Sequence, residues 1–164
     1  MHKIIFVLSF LLIFACTESG KQKENSGDTG KSETADSFNP PDAKLEFLEK
    51  LYDIQMDIIQ NPSSRAHKEK YIYNAYFDEN NTLISFGNAR LTNPQSGEKI
   101  ATPLLKRAAI VDAKRWATYG LLWLNNDFEP DFGKISEVHQ GLTKELGSFN
   151  KGDSLVVALA TKVR

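Results

Sequence analysis

The sequence predicts an α+β fold, with a long central helix packed on a small antiparallel β-sheet and an additional N-terminal amphipathic helix. Three observations carry this expectation. Thr102 to Leu124 is an uninterrupted helical pattern, spotted along one side with the small residues Ala108, Ala109, Ala113, Ala117 and Gly120. Aromatic-rich alternating runs on either side of Asp78-Glu79-Asn80-Asn81 have the form of a β-hairpin. Leu155, Val157, Leu159 and Val163 alternate with smaller or polar residues as a closing strand.

The chain opens with the short basic stretch Met1-His2-Lys3 and the apolar run Ile4 to Ala15. That run is too short for a bilayer span, which needs about 20 residues, and fits the apolar region of a secretory signal, here residues 1–15. It ends Leu12-Ile13-Phe14-Ala15-Cys16. The ending resembles the lipobox of bacterial lipoproteins: an aliphatic residue at −3, a small one at −1, then the cysteine that is acylated and becomes the new N-terminus. Phe14 is bulkier than the usual residue at −2. The resemblance implies lipidation at Cys16 and attachment to a lipid bilayer through its acyl chains, since stable anchoring takes more than one chain. Cys16 is the only cysteine, so intrachain disulfides and cysteine-rich metal sites are excluded.

Residues 17–37 contain no large apolar side chain and mix Lys with Glu and Asp. Such a segment cannot bury enough surface to offset its ordering entropy. Residues 16–41 therefore read as a lipidated, disordered tether, about 20 flexible residues spanning roughly 25 Å. Asn39-Pro40-Pro41 closes it, and 42–164 is expected to form one α+β domain.

Within that domain Asp42 is a candidate N-cap, and Ala43 to Gln60 reads as an amphipathic helix. Asn61-Pro62-Ser63-Ser64 stops it. Lys70 to Phe77 reads as a strand, with Tyr71, Tyr73, Ala75 and Phe77 on one face; Thr82 to Leu91 is its hairpin partner. Thr102 is the expected N-cap of the central helix, Pro103 its first helical residue, and Asn125-Asn126 its end. Lys106, Arg107, Asp112, Lys114 and Arg115 interrupt it too often for a membrane helix and read as solvated pairs. Ala109, Ala113, Trp116 and Gly120 form a line along which the backbone could approach a sheet. Leu121-Leu122-Trp123-Leu124 leaves this end apolar all round, so it is either buried or partly turned toward a ligand or partner. Lys134 to Leu146 is open between helix and strand, because helical spacing is broken by Gly141.

The segment Leu105-Lys106-Arg107-Ala108-Ala109-Ile110-Val111-Asp112-Ala113-Lys114-Arg115 resembles the core of a family of small bacterial lipoproteins. These are the twenty-kilodalton lipoprotein type, related to the N-terminal domain of the flagellar assembly protein T. The likeness covers about residues 70 to 164 and is most specific in the helix. It implies a helix packed on an antiparallel sheet, favours a strand for 134–141, and implies envelope localisation without catalysis. The chain departs from the pattern after the helix, where Leu122-Trp123-Leu124-Asn125 and a short acidic loop stand, and in the helix at 43–60.

Chemistry-bearing motifs are sparse. A net charge of −1 leaves no footprint for nucleic acid. Asp127, Glu129 and Asp131 alternate, but the following residues miss the EF-hand spacing, and the Asp78–Asn81 cluster reads as turn chemistry, so no metal is expected. His139 with Glu137 lacks a Gly-x-Ser-x-Gly nucleophile, and no phosphate-binding glycine loop is present, so no catalytic residue or cofactor is expected. The expectation is a non-catalytic envelope lipoprotein, anchored at the outer membrane and contacting envelope proteins. The alternative is a ligand-binding or sensing lipoprotein, with Tyr119, Trp123, Tyr73 and Phe86 as the contact surface near the end of the central helix.

Overall fold

The computed structural model describes residues 38–131 and 137–163. The signal, Cys16 and most of the tether lie outside these residues, as does the 134–136 part of the strand favoured for 134–141. Three helices and four strands follow in the order α1 (Leu45–Gln60), α2 (Arg65–Ala75), β1 (Tyr76–Phe77), β2 (Thr82–Arg90), α3 (Thr102–Asn126), β3 (Thr143–Lys151) and β4 (Ser154–Lys162). The strands form one antiparallel sheet in the order β1-β2-β4-β3. The fold is α+β, with the long helix α3 packed on the sheet.

Alternate side chains of a strand point to opposite faces, and both faces of this sheet are covered. On one face α3 meets β2 and β4, where Ala109, Ala113 and Leu105 pack with Ala89, Val157 and Leu159. The approach is close because Gly87 has no side chain. A Cβ there would stand 2.0 Å from the Ala109 carbonyl oxygen and 2.1 Å from the Ala113 nitrogen. On the other face α1 contributes Leu48, Leu51, Tyr52 and Ile58, which pack with Phe86, Phe149, Val156 and Ala158. Tyr52 holds the Phe86 and Phe149 rings edge-on, each at 5.9 Å.

The free edge of β2 is closed by side chains. β1 pairs only with Thr82 and Leu83. Beyond it, alternate residues turn their backbone groups to the same edge. Tyr71 Oη donates to the Ile84 carbonyl at 2.7 Å. The buried Gln55 amide donates to the Phe86 carbonyl at 2.8 Å and accepts the Phe86 N–H at 2.9 Å. Asp112 accepts the Asn88 N–H at 3.1 Å. An open edge is a template for unwanted pairing; here three helices supply its partners in turn.

The expected strand over Lys70–Phe77 is corrected. Residues 65–75 form α2, and only Tyr76 and Phe77 pair in the hairpin. The buried set is Lys68, Tyr71, Ile72 and Ala75, a helical spacing hidden in the sequence because its first member is a lysine. Boundaries shift slightly elsewhere. Lys44 rather than Asp42 caps α1, Ala101 rather than Thr102 caps α3, and Asn125 and Asn126 are the last helical residues. Asp127 then ends α3 in the left-handed region, at φ 52°. Ala108 of the small-residue set is exposed, away from the sheet. Residues 137–141 are irregular rather than strand, and β3 begins at Thr143.

Candidate functional site

The four residues expected to form a contact surface do not form one. Tyr119 and Phe86 are fully buried, and Trp123 retains 1% exposure. Tyr73, at 88% exposure, stands on the solvent side of α2. The first three belong to the core; the Tyr119 and Trp123 rings lie tilted to one another at 5.7 Å, and Tyr71 meets Trp116 and Trp123 edge-on at 6.3 Å each. Burial pushes the Tyr71 phenol well above its ordinary pKa of 10.0, so it stays a hydrogen-bond donor. The Tyr119 and Trp123 side of this end of α3 is thus interior, because α2 packs where a strand was expected.

The acidic loop after α3 is a clasp. Arg65 makes a forked pair with Asp127 at 2.7 and 3.0 Å, and its guanidinium lies 5.5 Å from the centre of the Phe128 ring. The hydrogen bonds from Arg65, and then its charge, hold the Asp127 carboxyl below its ordinary range. Lys68, only 3% exposed, lies over the Trp123 ring at 5.7 Å. Its ammonium donates to the carbonyls of Phe128 and Pro130 at 3.4 and 3.3 Å and to Asp131 at 3.3 Å. Trp123 Nε1 donates to the same Pro130 carbonyl at 2.6 Å. Two of the three alternating carboxylates therefore face cations supplied by α2. Among the described residues no three His, Cys, Asp or Glu side chains gather to hold a metal ion.

The recognisable run in α3 is also a packing device. Its Ala109 and Ala113 bracket Gly87, and its aspartate, Asp112, bonds the neighbouring strand residue Asn88. Arg115 stands 3.8 Å from Asp112. The solvated-pair reading holds for Arg115 and is incomplete for Asp112, whose half-buried carboxylate also serves the strand.

A cleft of about 500 Å³ opens beside the C-terminal half of α3. Leu121, Asn125, His139, Gly141, Lys162, Val163 and Asn81 line it. The His139 N–H donates to the Lys114 carbonyl at 3.3 Å, fixing the 137–141 segment against α3. The buried His139 Nε2 has no hydrogen-bond partner among the described residues. Burial, and then the nearby Lys114, lower the His139 pKa below 6.5 and keep the ring neutral. Glu137 is exposed, and among the described residues no hydrogen bond joins it to His139. The cleft sets the apolar Leu121 and Val163 beside the polar Asn81, Asn125, His139 and Lys162. Sequence reasoning missed it because its residues come from four separate segments with no shared spacing.

The described domain is thus an α+β sheet covered on both faces, with an aromatic core and a cleft beside the C-terminal half of α3. No protein family, curated protein or solved structure matches the chain.

Proposed function

We propose that this protein is a membrane-anchored, non-catalytic lipoprotein of the cell envelope with a protein-interaction or assembly role, held at the outer membrane. The observation that carries the reading is Cys16, placed directly after an apolar run ending Leu-Ile-Phe-Ala and before a polar tether. The resemblance of the α3 run to the twenty-kilodalton lipoprotein type points the same way. The domain supports it indirectly: Tyr119, Trp123 and Phe86 are enclosed, so contacts fall to the outside of the domain. Replacement of Cys16 by Ala is expected to abolish metabolic lipid labelling and to release the protein from the membrane fraction. Retained label or retained membrane association removes the basis of the proposal. Crosslinking in cells followed by capture is expected to recover envelope proteins with the wild type.

The cleft beside α3 favours a second reading, a ligand-binding lipoprotein. Its amide, imidazole and ammonium groups could orient a small polar molecule against Leu121 and Val163. Backbone amide shifts at Asn81, His139 and Lys162 on titration with a metabolite panel test it. Saturable shifts confined to those positions support it, and an unresponsive cleft ends it.

A further inference from the structure

We propose that the solvent face of α3 is a second membrane contact, a basic amphipathic face that lies on an anionic lipid surface. It goes beyond anchoring at Cys16 and rests on that reading only for the nearness of the bilayer.

The face has a definite pattern. At about 100° per residue, Leu104, Val111 and Leu122 fall along one line on the side of the helix away from the sheet. Leu104 is 59% and Val111 49% exposed, and Leu122 is half-buried. Arg107 and Lys114 flank this line on one side, and Arg115 lies within it between Val111 and Leu122. Exposed apolar side chains bordered by cations are the pattern of helices that lie in the headgroup layer.

The charge is one-sided as well. Over Thr102–Asn126 the cations are Lys106, Arg107, Lys114 and Arg115, and the only carboxylate is Asp112. Asp112 is turned inward to the Asn88 N–H and stands near Arg115. Lys106 pairs with Glu145 of β3 at 2.9 Å. Arg107 and Lys114 have no carboxylate partner among the described residues. Because the whole chain carries a net charge of −1, this helix is a local basic surface on a nearly neutral protein.

Asn39 to Ala43, where the N-terminal segment joins the domain, border Lys144 to Leu146 of β3. Glu145 in that same stretch holds Lys106 in the first turns of α3. The described start of the domain therefore lies at the β3 edge, to which the first turns of α3 are also held through Lys106. Each cation near an anionic surface adds a modest attraction. Tethering makes such weak contacts count by raising the effective concentration.

The test places an environment-sensitive fluorophore at Val111→Cys in the intact lipidated protein, reconstituted in phosphatidylglycerol-containing or pure phosphatidylcholine vesicles. Cys16 is the only native cysteine, so acylation leaves one thiol to label. The expected result is a blue-shifted, quencher-protected label with phosphatidylglycerol, and a wet label with phosphatidylcholine or in 1 M salt. A control label at Tyr73→Cys should stay wet in both. Arg107→Gln and Lys114→Gln should each lower the docked population roughly fivefold. A Val111 label equally wet in both vesicle types, on protein shown by mass to be acylated, overturns the proposal. A free thiol at Cys16 instead marks failure of the anchor alone, since adding vesicles to that protein still reports on the helix face. An equal blue shift in both lipids reveals apolar insertion without charge selection and likewise overturns it.

Discussion

Asp112 Oδ2 accepts the backbone N–H of Asn88 at 3.1 Å, tying the middle of α3 to β2 one residue past the point where the two backbones touch. The contact point is Gly87, pressed between Ala109 and Ala113. Small residues set the distance between helix and strand, and the carboxylate then fixes their sliding register. This pair of contacts explains why a polar residue belongs on the half-buried flank of an otherwise apolar seam.

Gly87→Ala should be among the most damaging small substitutions in the domain. Its Cβ would fall on helix backbone, which cannot rotate away, so a loss of at least about 3 kcal/mol is expected in urea denaturation. Gly120→Ala provides the comparison. Its Cβ would meet Leu83 Cδ2 at 2.5 Å, the far end of a flexible side chain. Gly to Ala in a helix also returns about 1 kcal/mol of propensity, so Gly120→Ala should be far milder. Equal losses at the two positions would refute the backbone-contact argument.

Burial raises the Asp112 pKa above 3.8, against the opposing effects of the Asn88 N–H and Arg115. The native state therefore holds this proton more tightly than the unfolded chain does. Acidification into the window just above 3.8 should add stability through this group, and raising the pH through the folded pKa should remove it. Asp112→Asn keeps an acceptor for Asn88 and has no charge to desolvate. Its stability relative to wild type should be most favourable at neutral pH and decline as the pH falls. Paired urea curves across that range decide the matter; a difference that grows on acidification contradicts it.

The helix–sheet seam was legible in the sequence because Ala109, Ala113, Trp116 and Gly120 repeat at helical steps, with Pro103 near the helix start. The final strand was legible through its alternation and the Lys151-Gly152-Asp153 turn, where Gly152 takes φ 59°. Two features hid the rest. Lys68 occupies a buried helix position, so the apolar period of α2 was broken and the alternation of Tyr71, Tyr73 and Ala75 suggested a strand. β3 carries only one buried residue, Phe149, and a register shift between Glu145 and Gly147, so it shows no regular alternation. The end of α3 reads as apolar all round, which by itself leaves core and contact surface both open for Trp123; α2, with Tyr71 and Lys68 against the indole, makes it core.

Gln55 acts as a substitute strand for β2, since both of its amide atoms bond Phe86. Gln55→Ala leaves a buried N–H and a buried carbonyl without partners, together with a small void. The expected loss is about 3 kcal/mol, with exchange of the Phe86 amide hydrogen strongly accelerated. Gln55→Glu should also destabilise, because its carboxylate has no N–H to offer the Phe86 carbonyl and is buried. Unchanged protection of the Phe86 amide in Gln55→Ala would show that another group closes this edge.

Lys68 combines two roles that substitutions can separate. Its stem and ammonium lie against Trp123, while the ammonium serves three acceptors beyond the end of α3. Replacing a buried ion pair by a well-packed apolar side chain is often close to neutral, whereas truncation leaves a partner and a void behind. Lys68→Met keeps the stem, and the Pro130 carbonyl retains its bond from Trp123 Nε1, so a loss of about 1 kcal/mol is expected. Lys68→Ala should cost about 3 kcal/mol, since it opens a void over the indole and leaves Asp131 without this cation. Both tryptophans are 1% exposed in the native fold, so their emission should be blue-shifted and acrylamide should quench it poorly. In Lys68→Ala the Trp123 contribution should shift red and become quenchable before global unfolding, while Lys68→Met remains native-like. If the two variants lose stability equally and neither changes the emission, the clasp contributes through charge alone and the packing role assigned to Lys68 is wrong.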